Sequence, residues 1–367
     1  MYPILDKRMT DDEYISAYEY EKNVNPSLLY SPFYEKNVAE CNYGIDIVDF
    51  STIFNVSHKS TTPNLLAAFV KLHKIGDVVC LRNETHGEYN ATSNLFYIIQ
   101  GSACIRIDGD EFIVNSGDIL ICPCFKFLQI ENKGEDGLDY SRIGDQRESR
   151  RELEYSKIGD QRESRRELDY SRIDDQRESR RELEYSKIDD QRELQIYYVN
   201  DSPLVNYLGS RAEKKIFKPA VYNNHFLIDS LNRLSNPTNN RKGILLSNQD
   251  TEVLGINTIT PVLWTLYNEL PPKTIQKPHK HNSVALDLCI KCEDSNNIYT
   301  LMGDELDEKG DIVNPTRINW KTGSMFVTPP GLWHSHNNVG ETYAYVIPIQ
   351  DAGLLLYQRI LGIVLTK

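Results

Sequence analysis

From about residue 64 the chain breaks into short apolar runs closed by Gly, Asn and Asp: LLAAFVKLH, DVVCLR, LFYIIQG, ACIRIDG, EFIVNSG and DILICP. Short runs rich in Val, Ile, Phe and Tyr at this even spacing predict β-strands of a sandwich or barrel. Asp108-Gly109-Asp110, between two such runs, is a hairpin signal. A second series with the same rhythm begins near 262, with VLWTLYNEL, SVALDLCIKC, NIYTLMG, INWKTG, SMFVTPP and TYAYVIPI. Two β units of one type in tandem are therefore expected. Ahead of both, residues 1–56 lack a sustained period and read as an N-terminal arm packing on a barrel. Within that arm, DDEYISAYEYEK predicts one short helix capped by Thr10 or Asp11.

The strand rhythm stops at residues 138–193, where LDYSRIGDQRESRRE recurs with small changes every 15 residues. Each copy balances acids against bases and offers only Leu, Tyr and Ile as apolar residues, too little to hold a core. Good helix formers and opposite charges at helical spacing predict a solvated helix or plain disorder. The near-identity of the copies resembles a mobile palindromic-repeat insertion. The flanks IENKGEDG and LQIYYVNDSPLVNYLG read as one interrupted β-rich passage. A partner-binding arm is the functional alternative.

Length, charge and cysteine content narrow the class. The 367 residues allow two domains, and 40% hydrophobic residues support proper cores. A net charge of -12 with no cluster of unmatched Lys or Arg argues against a nucleic-acid surface. The first residues show no apolar export signal, and no run reaches the roughly 20 apolar residues of a membrane span. A cytoplasmic protein is expected, with the final GLLLYQRILGIVLTK forming a buried helix or strand. Seven cysteines, an odd number without an export signal, are expected to be reduced. Cys289 and Cys292 have clip spacing, but three positions along a strand should place them on opposite faces, so both pairs (Cys122 and Cys124 included) read as core.

One constellation carries chemistry. In Pro278-His279-Lys280-His281 the two imidazoles share a strand face, roughly 7 Å apart. The segment from Gly323 to Asn338, GSMFVTPPGLWHSHNN, brings a third imidazole, His334, on another strand. His336 should face the same interior two residues on.

The spacing G-x5-P-x-G-x2-H-x3-N is the second cupin motif, and residues 323–338 match every fixed position; HKH matches the opening of the first. The chain thus resembles a bicupin: an all-β fold of two tandem jelly-roll barrels. The expected organisation is the arm (1–56), a first barrel (57–137 plus 194–210), the insertion (138–193), a linker (211–245) and a metal-binding second barrel (246–367). The usual Glu after the second His is absent: Leu286 stands there, with Asp287 one residue on, and Cys292 replaces the closing Gly. Three His without Glu resembles the gentisate and salicylate ring-cleaving dioxygenases. TPPGLWHSHNN, SPLVNYLG and TTPNLLAAFVKLHKIGD resemble segments of that family too.

That resemblance implies Fe(II) held by His279, His281 and His334, with Zn, Mn and Ni as alternatives. It implies a small hydroxylated aromatic acid and O2 as substrates, the acid chelating the metal through carboxylate and hydroxyl. His336 is the candidate proton acceptor; Arg317, Asp287 and Trp333 are the candidate substrate contacts, although no Arg is compelling. A homodimer or tetramer is expected on the same ground. In the first barrel, counting back from Gly101 puts the ligand positions on Glu88 and Asn90, and the second motif puts the third on Leu128, with Asn132 retained. Such a set is no transition-metal site. The ring-cleaving relatives usually carry iron in that first barrel, whereas here only the second is equipped. The alternative reading is a non-catalytic bicupin that binds a metal or small ligand; a zinc or manganese isomerase or hydrolase is a third.

Overall fold

The computed structural model describes residues 4–10, 13–19, 21, 28–134, 193–234 and 241–366. Its strands carry apolar side chains on both faces. Along Asn94–Gln100, Leu95 and Tyr97 point one way and Phe96 and Ile98 the other. Along Leu194–Asn200, Tyr197 and Val199 are split in the same way from Ile196 and Tyr198. A strand that is apolar on both faces must be covered twice. One face lines a barrel interior, and the other meets the second barrel.

The two barrels share one layout. The six-stranded sheet of the first runs Ala220–Tyr222, Ile119–Cys122, Asn94–Gln100, Leu194–Asn200, Leu66–Leu72, Gly44–Val48. That of the second runs Glu35–Asn37, Ser324–Thr328, Ala285–Lys291, Ala344–Gln350, Trp264–Leu270, Lys242–Leu246. A smaller sheet closes each barrel: Asp110–Asn115, Ser102–Ile107, Phe127–Gly134 and Val78–Arg82 in the first. In the second it is Thr316–Asn319, Ile298–Gly303, Trp333–Asn338, His279–His281 and Ile363–Leu365. The fold is a pair of cupin jelly-roll barrels.

Arm and linker are woven into both. Glu35–Asn37 precedes the first barrel yet pairs with Ser324–Thr328 of the second. Ala220–Tyr222 precedes the second yet pairs with Ile119–Cys122 of the first. The next strand in each case, Gly44–Val48 or Lys242–Leu246, joins its own barrel. Between the sheets a common core joins Leu95, Tyr97 and Val199 to Leu286, Leu288 and Ile347.

Several local expectations are corrected. Within DDEYISAYEYEK the described residues Glu13–Tyr18 form a strand instead of a helix, pairing with Ile4–Thr10 as an antiparallel hairpin. The β-preferring Tyr and Ile of this stretch outweigh its helix-cap signal. The apolar C-terminus supplies a helix, Ala352–Tyr357, and the strand Ile363–Leu365, but the strand is not buried. Backbone pairing along His279–His281 places it, and its side chains stay exposed. A β-bulge between Cys289 and Lys291 breaks the strict alternation, so Cys289 and Cys292 both pack on the cluster around Trp320. The Asp108-Gly109 turn forms as expected, with φ of 50° and 103°.

The repeat lies outside the described residues, except for Glu193. That residue accepts the Tyr43 hydroxyl at 3.0 Å and pairs with Lys71 at 3.4 Å, so it belongs to the barrel. Among the described residues no helix is long and apolar enough to cross a membrane.

Candidate metal centre

His279 and His281 sit on a three-residue strand held between Trp333–Asn338 and Ile363–Leu365. In register, His279 lies directly opposite His334. The turn that delivers His334 is fastened to the same strand, because Gly331 N–H donates to the His281 carbonyl at 2.7 Å. Gly331 has φ of 83°, a conformation that favours glycine. Gly323, at φ 77°, leaves no room for a Cβ, which would lie 2.6 Å from Val38 of the arm. The motif glycines therefore fix the approach of the third imidazole.

The ligand atoms of His279, His281 and His334 all lie within 4.8 Å of one another. Nitrogens bonded to one ion at about 2.1 Å stand up to roughly 4 Å apart, so small ring rotations would let all three hold a common metal. The Nδ1 atoms of His281 and His334 face the carbonyls of Ser283 and Leu332 at 2.9 and 3.0 Å. A carbonyl only accepts, so each Nδ1 carries the proton and Nε2 keeps its lone pair for the metal. Burial holds both imidazoles below their ordinary value. It does the same to His279 and His336, with Arg241 adding to the effect on each. Neutral imidazole is the ligating form, and the donor set fits a divalent transition metal.

A cavity of about 240 Å³ opens on this cluster. His336 lines it, close to His334 (ring centroids 5.9 Å apart), and its Nδ1 lies 2.8 Å from Thr300 Oγ1, which accepts the Trp320 indole N–H at 2.8 Å. Asp287 also lines the cavity; its carboxylate accepts the Thr328 hydroxyl at 2.5 Å, and burial pushes its pKa up to about 7. Leu266 and Pro348 form apolar wall, and Asn268, Gln276 and Gln350 polar wall.

The other two candidates are placed elsewhere. Arg317 lies on an exposed edge strand, bonded to Asn319 and to the Asn296 carbonyl and stacked 3.6 Å over Tyr299. Trp333 packs under the Lys280 ammonium, 4.6 Å from its ring centre. The guanidinium that does line the cavity is Arg241, which sequence reasoning missed. It lies in the linker, 38 residues before His279, outside any motif, and no sequence signal marks it.

The first barrel holds hydrocarbon where the second holds imidazole. Leu128 takes the place of His334, and its partner in register is Leu81, as His279 is the partner of His334. The position of His281 is then Asn83, whose side chain donates to the Ala212 carbonyl. Counting back to Glu88 and Asn90 misses the register because residues 84–93 form a longer connection than residues 282–284. Asn90 is instead buried in a network with Asn206, Ser210 and Ala212. Among the described residues the three-histidine group is the one cluster with metal-ligand geometry.

No protein-family model matches the chain, and no curated protein matches it in sequence. Solved structures do match. The salicylate 1,2-dioxygenase of Pseudaminobacter salicylatoxidans superposes with a TM-score of 0.53 at 12% identity, over 84% of this chain and 77% of that one. A structure of that enzyme's adducts with gentisate gives 0.58 at 10% identity, over 94% and 87%. At such identities the likeness establishes the bicupin fold.

Proposed function

We propose that this protein is an Fe(II)-dependent ring-cleaving dioxygenase acting on a small hydroxylated aromatic acid. The observation that carries the reading is the convergence of three neutral imidazoles on a buried cavity in a bicupin fold. The enzyme of similar fold is a salicylate 1,2-dioxygenase that has been solved as adducts with gentisate, which supports the substrate class. His279, His281 and His334 would hold the iron, which supplies open coordination positions and one-electron chemistry toward O2. With three neutral ligands the full 2+ charge remains for an anionic substrate.

The chain's own residues supply the rest. Leu266 and Pro348 offer apolar surface to a ring. His336, kept neutral by burial and positioned by Thr300, is the candidate base for a substrate hydroxyl. Asp287 is a second group at the cavity able to exchange a proton near neutral pH. In this reading the enzyme is cytoplasmic and assembles as a homodimer or tetramer.

The test is an O2-electrode screen of iron-replete protein over hydroxybenzoates, with metal content measured alongside. The expected result is about one iron per chain and O2 uptake with a member of the panel. Full iron loading without uptake across the panel leaves a binding protein instead.

A further inference from the structure

The cavity is lined by a guanidinium, Arg241, that no carboxylate among the described residues neutralises. Arg241 precedes the edge strand Lys242–Leu246, whose register against Trp264–Leu270 sets it beside the ligand strand. Its Nη2 donates to the Lys277 carbonyl at 2.5 Å and reaches His279 Nδ1 at 3.2 Å. Its Nε is buried and has no hydrogen-bond partner. Among the described residues no carboxylate lies within ion-pair distance of it. The neighbouring Lys242 is neutralised by Glu269 at 2.8 Å, so the contrast is local. Asp287, the one carboxylate lining the cavity, is committed to Thr328 and half-neutralised near pH 7.

The contact with His279 leaves the guanidinium available. A guanidinium has only donors. A His279 that binds metal through Nε2 carries its proton on Nδ1, so two donors would face each other and the contact gives way. Buried guanidinium groups cost stability unless a carboxylate or carbonyls take their N–H groups, and the fork geometry favours a carboxylate.

We propose that Arg241 is the anion-binding half of this site, taking a ligand carboxylate beside the three-histidine cluster. The ligand class is then a small carboxylic acid, and neutral isosteres are discriminated against. A cavity of about 240 Å³ limits it to a single ring or less. The inference deepens the proposed function but rests on it only for a metal at the three histidines.

The test is calorimetric binding to the metal-loaded full chain, with salicylate, salicylamide and glycolate as probes. Wild type, Arg241→Gln and Arg241→Lys are compared, and metal stoichiometry is read for each. The expected result is that Arg241→Gln keeps its metal and lowers the preference for salicylate over salicylamide on the order of 30-fold, the loss of a charge-assisted hydrogen bond. Salicylamide affinity should stay within about threefold, because it does not use the charge. If Arg241→Gln is insoluble, Arg241→Lys, which keeps the charge without the fork, should show a smaller loss of the same preference. Arg241-dependent binding of glycolate but not salicylate would support the anion site and remove the aromatic substrate. An unchanged acid-over-amide preference, an equal loss of both ligands, or no binding of either acid overturns the proposal. O2 uptake is not read, so an inactive but acid-binding protein separates this inference from the dioxygenase reading.

Discussion

The two barrels share a six-stranded sheet and four strands of the smaller sheet in the same order, and have opposite interiors. In the second, His334 faces His279; at the matching place in the first, Leu128 faces Leu81. Around that substitution the first interior is closed by Phe96, Ile98, Ile105 and Tyr198, with Phe96 and Tyr198 stacked at 4.4 Å. What the barrels keep in common is equally telling. Asn132 and Asn338 each accept the backbone N–H two residues on, from Gly134 and Gly340, and donate to the carbonyls of Leu72 and Leu270. Asp201 and Asp351 each precede a short helix and accept backbone N–H groups, from Thr92 and Ser93 in one case and Val284 in the other. The motif asparagine therefore closes a turn in both barrels, whereas the motif histidine is present only in the second. The first barrel shows that leucine can stand at the histidine position without changing the fold.

That division yields predictions of decreasing size. His334→Ala should abolish stoichiometric metal binding, at a cost of several kcal/mol of metal affinity. Metal analysis of purified protein checks it, and the variant should stay folded because Leu128 shows that the barrel does not need the imidazole. Phe96→Ala should do the reverse, losing about 3–5 kcal/mol of stability in urea while any chain that folds keeps its metal. Destabilisation below about 1 kcal/mol would mean that the first interior is not the packed core described.

Asp287→Asn should act on stability through pH. Its carboxyl is raised to about 7, so the native state holds a proton that the unfolded chain releases near pH 4. Its contribution is fully present below the unfolded value and is lost as pH rises through about 7. In chelator-treated protein the Asn variant should therefore melt higher than wild type at pH 8, by an amount on the order of 2 kcal/mol, with the gap narrowing below about pH 7 and closing only near pH 4. A pH-independent difference between the two would contradict the assignment. The smallest effect is expected from the insertion. In the second barrel the same connection spans residues 339–343, so deleting 138–192 while keeping Glu193 should change stability by about 1 kcal/mol or less and leave metal content unchanged. Loss of soluble protein would show that the repeat is integrated into the barrel.

The comparison also explains what was legible in the chain. Residues 323–338 could be read because two turns of fixed length, at Gly323 and Gly331, lock His334 and Asn338 into register. The strand rhythm was readable wherever apolar residues fall into short runs. The ligand positions of the first barrel were misplaced because a connection of variable length, 84–93, lies between them and the nearest glycine landmark. Pairing across the sheet, rather than distance along the chain, sets that register. The exchange of Glu35–Asn37 and Ala220–Tyr222 between barrels left no trace in segments that read as arm and linker, since a three-residue edge strand has no period to detect. Arg241 was invisible for the same reason: its place in the cavity is set by the pairing of the strand that follows it.

The central claim is that the second barrel alone holds a metal. Anomalous diffraction from crystals of metal-loaded protein tests it most directly. The account predicts one peak per chain, about 2.1 Å from a ring nitrogen of each of His279, His281 and His334, and none in the first barrel. A peak near Leu81 and Leu128, or one in the second barrel that lacks any of the three imidazoles, would contradict it.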